Sequence, residues 1–229
     1  MAADRPGSLD VLYLGAGGAG WGPIDELAAL AARLLDGRLL TVRDRGEVST
    51  LRKATSLLPR IRGKGRALLV IAANPAMLAY ASRWTHWLPG YERTAAWVID
   101  SFWTDRISRF AIGGRHFDDF FITDRDLVDE WRERTGTPTH WLPWGTDTLA
   151  FDAAAANRPV HLLRLGRQPA AWDDDEALIR EAAAVGLVAA GVPAMGATGA
   201  DNQRIVRGAL LEAKFVLAFS NLVSPAPYT

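Results

Sequence analysis

The sequence contains no cysteine. Disulfide scaffolds, thiolate metal sites and cysteine nucleophiles are therefore excluded. Lysine is scarce: of 26 basic residues only Lys53, Lys64 and Lys214 are lysines, and the rest are arginine. We read that bias as genome composition rather than phosphate chemistry. An excess of one charge is missing too, with 26 basic residues against 26 acidic. That balance excludes a nucleic-acid-binding protein held by bulk charge, so no nucleic acid partner is expected. No stretch reaches the roughly 18 apolar residues of a membrane helix. The first apolar run, Val11 to Leu14, is too short for a signal-peptide core. The cytoplasm is the expected compartment. What is present is ordinary globular composition, 49% hydrophobic and 23% charged over 229 residues, enough chain for a buried core.

Short apolar runs alternate with amphipathic segments. Strands are expected at 9–14, 39–42, 67–72, 95–99, 117–122 and 139–142, and helices at 23–35, 49–58, 75–87 and 124–136. The face expected to be buried on the first helix carries Ile24, Leu27, Leu30, Ala31, Leu34 and Leu35. Apolar strands alternating with helices imply a parallel sheet covered on both faces. Six of them before residue 143 fill one doubly wound domain, 1–142. Pro143 to Asp147 reads as a connection. A fresh series follows within 143–229: strands at 160–165, 187–190 and 215–219, helices at 174–185 and 201–213. The expected fold class is α/β, with two Rossmann-like doubly wound parallel-sheet domains, the second incomplete.

Between the first strand and first helix lies Gly15-Ala-Gly17-Gly18-Ala-Gly20. It matches the GxGxxG dinucleotide fingerprint, in which glycines let the backbone approach a ligand and a helix N-terminus faces an anion. The fingerprint also needs an acidic residue roughly 20 residues on, to hold ribose. The one candidate is Asp44, 29 residues after Gly15 and flanked by Arg43 and Arg45, which suit a phosphate better. A plain tight turn, a bound substrate or phosphate, and NAD or FAD all remain open for this loop.

Trp141-Leu-Pro-Trp-Gly-Thr-Asp147 resembles the segment "-(V/L)P-x-G-x-D-" that joins the two domains of GT-B glycosyltransferases. As in that family, a strand ending in Gly-Arg follows, Leu162-Leu-Arg164-Leu-Gly166-Arg167. Ala213-Lys-Phe-Val-Leu-Ala-Phe-Ser220 resembles the strand leading to the family's donor pocket. Nearly the whole chain takes part, in order. It is most similar to bacterial group-1-type transferases with spore-maturation-protein-like sequences. The resemblance implies transfer of a sugar from a nucleoside diphosphate sugar to an acceptor hydroxyl, with retained anomeric configuration and no cofactor or metal. The acceptor, of unknown identity, would sit on the first domain and the donor on the second. Arg167, with Arg164 on the same strand, would pair with the donor diphosphate, a planar fork matching two phosphate oxygens. The family usually has a lysine shortly afterwards; here Trp172-Asp-Asp-Asp175 stands instead. The family's Glu-containing donor segment would fall beyond Thr229, so a truncated and weakly active or inactive chain is expected. The last apolar strand would then leave an unpaired edge, a route to a homodimer. Two other readings stand beside this one: an NAD- or FAD-dependent oxidoreductase using Gly15 to Gly20, and a non-catalytic nucleotide-binding fragment.

Asp100 ends the strand Ala95-Ala-Trp-Val-Ile-Asp100, at the carboxyl edge where doubly wound sheets bind ligands. It is the candidate catalytic carboxylate, orienting an acceptor hydroxyl or acting as base; a loop or capping carboxylate beside Ser101 is the other reading. His116 falls at the start of a strand, the wrong edge for chemistry, and His86, His140 and His161 lack metal-site spacing. Asp118-Asp119 and Asp173-Asp174-Asp175 read as solvated helix starts rather than cation sites. Trp84, Trp87, Trp97 and Trp103 could stack on a sugar or simply pack. The basic run Arg52, Lys53, Arg60, Arg62, Lys64, Arg66 fits peripheral contact with an anionic membrane or a solvated loop.

Overall fold

A computed structural model describes residues 8–15, 18–42, 65–78, 91–108, 117–145, 157–165 and 175–218. The chain divides into two compact units, Met1–Gly17 with Ile24–Thr146, and Gly18–Pro23 with Asp147–Thr229. Both are α/β with parallel sheets. The expected helix at 49–58 lies outside the described residues.

The first unit carries a six-stranded sheet: β1 (Ser8–Leu14), β2 (Arg38–Val42), β3 (Arg66–Ala72), β4 (Arg93–Val98), β5 (Asp119–Ile122) and β6 (Thr139–Trp141), in the order β2-β1-β3-β4-β5-β6. Every pairing is parallel. Four consecutive residues of β1, Val11 to Leu14, are at most 3% exposed, so both faces of the sheet are covered there. One face holds a contiguous core of Leu12, Leu14, Leu68, Val70, Ala96, Val98, Phe120, Ile122 and Trp131. Trp131, fully buried, comes from α2 (Val128–Thr135), packs on Phe120 at 5.6 Å between ring centroids, and donates its indole N–H to the Ser101 carbonyl at 2.9 Å.

Helix α1 (Gly22–Leu34) buries Ile24, Leu27, Ala28 and Ala32. Leu34 and Leu35, expected on that face, are exposed. The helix ends under them: Asp36 takes φ 50°, and Gly37 donates its N–H back to the Ala32 carbonyl at 2.8 Å before β2 begins. Gly37 is required by close approach, since a Cβ there would stand 2.3 Å from the Leu9 carbonyl oxygen. The expected helix over 124–136 opens with a tighter 3-10 turn at Arg125–Leu127, because the Asp124 carboxylate accepts the Asp126 N–H and caps that turn. It ends at Gly136, whose left-handed φ of 63° closes the C-terminus.

The second unit has β7 (Val160–Leu165), α3 (Asp175–Ala184), β8 (Ala189–Ala190), α4 (Gly199–Glu212) and β9 (Ala213–Ala218), with strand order β8-β7-β9, all parallel. The strand expected at 187–190 shortens to two residues. Phe215 on β9 is 67% exposed. Thr198 caps α4, accepting the Asp201 N–H at 3.1 Å while donating to the Asp201 carboxylate at 2.8 Å. Among the described residues no helix is long and apolar enough to cross a membrane.

Candidate functional site at the carboxyl edge of the first sheet

In the first sheet β2 lies on one side of β1 and β3 to β6 on the other. The order therefore reverses at β1, and the carboxyl ends of β1 and β3 flank the switch point where open α/β sheets take ligands. Gly15 closes β1 by donating its N–H to the Val42 carbonyl at 3.0 Å, so that amide is committed to the backbone. Gly18 adopts φ +92°, a conformation that favours glycine. A Cβ on Gly20 would meet nothing within 4 Å, so no neighbour forces glycine there. Gly17 lies outside the described residues, as do Arg43, Asp44 and Arg45.

Asp100 follows β4. Its backbone N–H donates to the Ala73 carbonyl at 2.8 Å, which fixes it beside the end of β3. The side chain is half-buried, and its carboxylate makes no hydrogen bond or ion pair with any described residue. Burial raises its pKa above the usual carboxylate value, and the Arg106 charge partly offsets that rise. The loop behind it is fixed. Ser101 is buried; its Oγ lies 3.3 Å from Thr123 Oγ1 and accepts the Asp124 N–H at 3.1 Å. Thr123 Oγ1 also donates to the Ile99 carbonyl. These bonds clamp the ends of β4 and β5 together, so Asp100 stands on a rigid support.

Two neighbours escaped the reading of the sequence. Asn74 caps a 3-10 turn at Pro75–Met77, its side-chain oxygen accepting the Ala76 N–H at 3.1 Å. Arg106 ends another 3-10 turn, Thr104–Arg106, and lays its guanidinium 3.9 Å from the centroid of the Trp103 ring. The two turns pack on each other. An Asn-Pro pair just after an apolar strand was the available signal for Asn74; for Arg106 there was none.

Arg164 lies on β7, only 5% exposed, with its guanidinium 3.4 Å from the Asp175 carboxylate. That carboxylate also accepts the Val192 N–H at 3.0 Å. Arg167 lies outside the described residues. Asp118 accepts the Thr94 N–H at 2.8 Å, and Asp119 pairs with Arg93 at 2.7 Å. Both stand at the start of β5, not of a helix, because their carboxylates bridge to β4. His140 faces Asp119 at 3.4 Å, and His161 Nδ1 accepts the Val188 N–H at 3.0 Å. Among the described residues no group of three His, Asp or Glu could hold a metal ion. Trp97 is nearly buried and donates to the Leu142 carbonyl at 3.1 Å, a packing role. His86, His116, Trp84, Trp87, Asp173, Asp174 and the basic run from Arg52 to Lys64 lie outside the described residues.

A separate charged cluster lies at the opposite, amino edge of the sheet. Asp10, 1% exposed, accepts Arg38 Nε and Nη2 at 2.9 Å each, Tyr91 Oη at 2.6 Å, and Arg66 Nη2. Led by the Arg38 hydrogen bond, these donors hold its pKa down to about 2. Burial and the Asp10 contact push the Tyr91 hydroxyl up to about 12. The cluster ties β1, β2, β3 and the approach to β4 together at the edge opposite the switch point. No protein-family model, no curated protein and no solved structure matches this chain.

Proposed function

We propose that the chain is a glycosyltransferase of the GT-B type, moving a sugar from a nucleoside diphosphate sugar to an acceptor hydroxyl held on the first unit. The observation that carries the reading is the Asp100 carboxylate. It is half-buried on a rigid loop at the carboxyl edge, and it has no donor among the described residues. Half-buried and without a donor among the described residues, the carboxylate is open to a bound hydroxyl as well as to water. A hydroxyl is the natural partner: it donates to the carboxylate and is thereby oriented. The two parallel-sheet units and the glycine turn after β1 agree with this reading, as does the family resemblance in the linker and in Gly166-Arg167.

In such a transfer the bond between the anomeric carbon and the diphosphate oxygen breaks, and a bond to the acceptor oxygen forms. With retained configuration the departing diphosphate takes the acceptor proton. Asp100 then aims the hydroxyl rather than keeping its proton, and Arg167 neutralises charge developing on the diphosphate. The test is nucleotide release from a panel of UDP- and GDP-sugars with added polyol acceptors. Acceptor-stimulated release that falls about 10²-fold or more in Asp100→Ala supports the role. Equal release by wild type and variant would contradict it.

A further inference from the structure

In the second unit a histidine ring takes part in holding the sheet together. His161 is the second residue of β7 and is half-buried. Its backbone N–H donates to the Val188 carbonyl at 2.8 Å, and the Leu162 N–H donates to the same oxygen at 3.1 Å. The Val188 N–H returns to the ring, donating to Nδ1 at 3.0 Å. Both backbone groups of Val188 are thus clamped just before β8 begins. Beyond the clamp, the pairing of β7 with β8 is Leu162 with Ala189 and Leu163 with Ala190. Among the described residues β8 is an edge strand. A strand this short opens readily once a bond is lost.

A ring nitrogen that accepts an N–H carries no proton, so the clamp requires a neutral imidazole with its hydrogen on Nε2. A second proton turns Nδ1 into a donor facing the Val188 N–H, and the bond is lost. β8 and the turn before it, 185–190, carry no ionisable side chain. α3 brings Asp175, Glu176, Arg180 and Glu181, and α4 brings Asp201, Arg204, Arg207 and Glu212; no carboxylate among the described residues pairs with the ring. On β9, Lys214 stands between Ala213 and Phe215, which pair with Val160 and Leu162, so it shares a sheet face with His161. A cation there disfavours a second one on His161.

β8 runs into a segment at the carboxyl edge of the second sheet, the edge at which open α/β sheets take ligands. That segment is tethered to the start of α3. The Val192 N–H donates to the Asp175 carboxylate at 3.0 Å, and a Cβ on Gly191 would stand 2.4 Å from Asp175 Oδ2. We propose that His161 is a pH-sensitive latch: protonation of its ring frees Val188, parts β8 from β7 and loosens the Gly191–Val192 segment at the carboxyl edge. The acceptor role of Nδ1 sets the direction. The latch is closed while the ring is neutral and opens as pH falls through the range in which histidine side chains titrate, about pH 8 to 5. It works in the same way whichever substrate the chain takes.

The experiment follows the full chain by NMR at the two ends of that range, about pH 8 and pH 5. At the upper end the nitrogen chemical shifts of the His161 ring should show an unprotonated Nδ1. Amide-exchange protection at Val188, corrected for the intrinsic pH dependence of exchange, should fall about tenfold or more at the lower end, and protection at Val192 should fall with it. Protection at Val70 and Val98, buried in the first sheet, should hold throughout. His161→Asn leaves an acceptor near the Nδ1 position that takes up no proton, so both amides should stay protected at either pH. A loss arising from a proton on Asp175 would still show in that variant. His161→Ala should leave Val188 unprotected at either pH. A ring protonated on Nδ1 at the upper end, pH-independent protection at Val188, full protection in His161→Ala, or a fall that persists in His161→Asn would overturn the latch. An equal fall at Val70 and Val98 would overturn it too, because it marks global unfolding. A fall at Val188 with Val192 unmoved would overturn the link to the carboxyl edge.

Discussion

Replacing Asp10 with asparagine removes a negative charge paired with Arg38 and Arg66 at the amino edge of the first sheet. The carboxylate is 1% exposed and accepts two bonds from Arg38 at 2.9 Å, one from Tyr91 at 2.6 Å and one from Arg66. Its folded pKa of about 2 lies below the ordinary 3.8. A depression of that size corresponds to about 2 kcal/mol of stability. The sign follows from the direction: a depressed carboxyl contributes fully above its unfolded pKa, and the contribution is lost as pH falls toward 2. Asparagine also takes the Asp10 counter-charge away from the two guanidiniums. Breaking a fully buried pair costs about 3–5 kcal/mol, but the Arg38 side chain is 67% exposed and can turn to water. Solvent screening on that side discounts the total to about 2 kcal/mol. Urea denaturation of wild type and Asp10→Asn at pH 7, 5, 4 and 3 measures it. The gap should hold at pH 7 and 5 and narrow from pH 4 downward. A gap below about 0.5 kcal/mol at pH 7, or one independent of pH, would refute the reasoning.

Gly37→Ala would press a methyl to 2.3 Å from the Leu9 carbonyl oxygen, and unfolding experiments should show a loss of about 1–3 kcal/mol; a neutral result would mean that the turn into β2 yields freely. Trp131→Phe keeps most of the ring but leaves the Ser101 carbonyl without its indole donor. It should cost about 1–3 kcal/mol in thermal or urea unfolding, and a smaller loss would mean another donor reaches that carbonyl. Thr198→Ala removes the cap of α4 and should cost about 1 kcal/mol, read in the same way.

The strands were legible because burial on both faces writes itself as runs of apolar residues: Val11 to Leu14 and Ala67 to Ala72 need no partner to be recognised. Ends were harder. The turn at Arg125–Leu127 depends on where one aspartate side chain bonds, and Leu34 and Leu35 fit the helical stripe but fall where α1 runs out. Asp100 could be read from its place after a strand. Asn74 and Arg106 could not, because their meeting depends on β3 lying beside β4, a fact of strand order that no single segment carries. The Asp10 cluster did leave a trace: an acid inside an apolar strand, and an arginine opening each of β2 and β3. Only the register, which sets Asp10 opposite Arg38, turns that trace into a contact.

The transferase reading is tested most directly by calorimetry of the chain with UDP, GDP, NAD and FAD. A glycosyltransferase of this type binds a nucleoside diphosphate more tightly than either dinucleotide. Tight NAD binding that Gly17→Val abolishes, with no heat from UDP or GDP, would contradict the account and assign the glycine turn to an oxidoreductase.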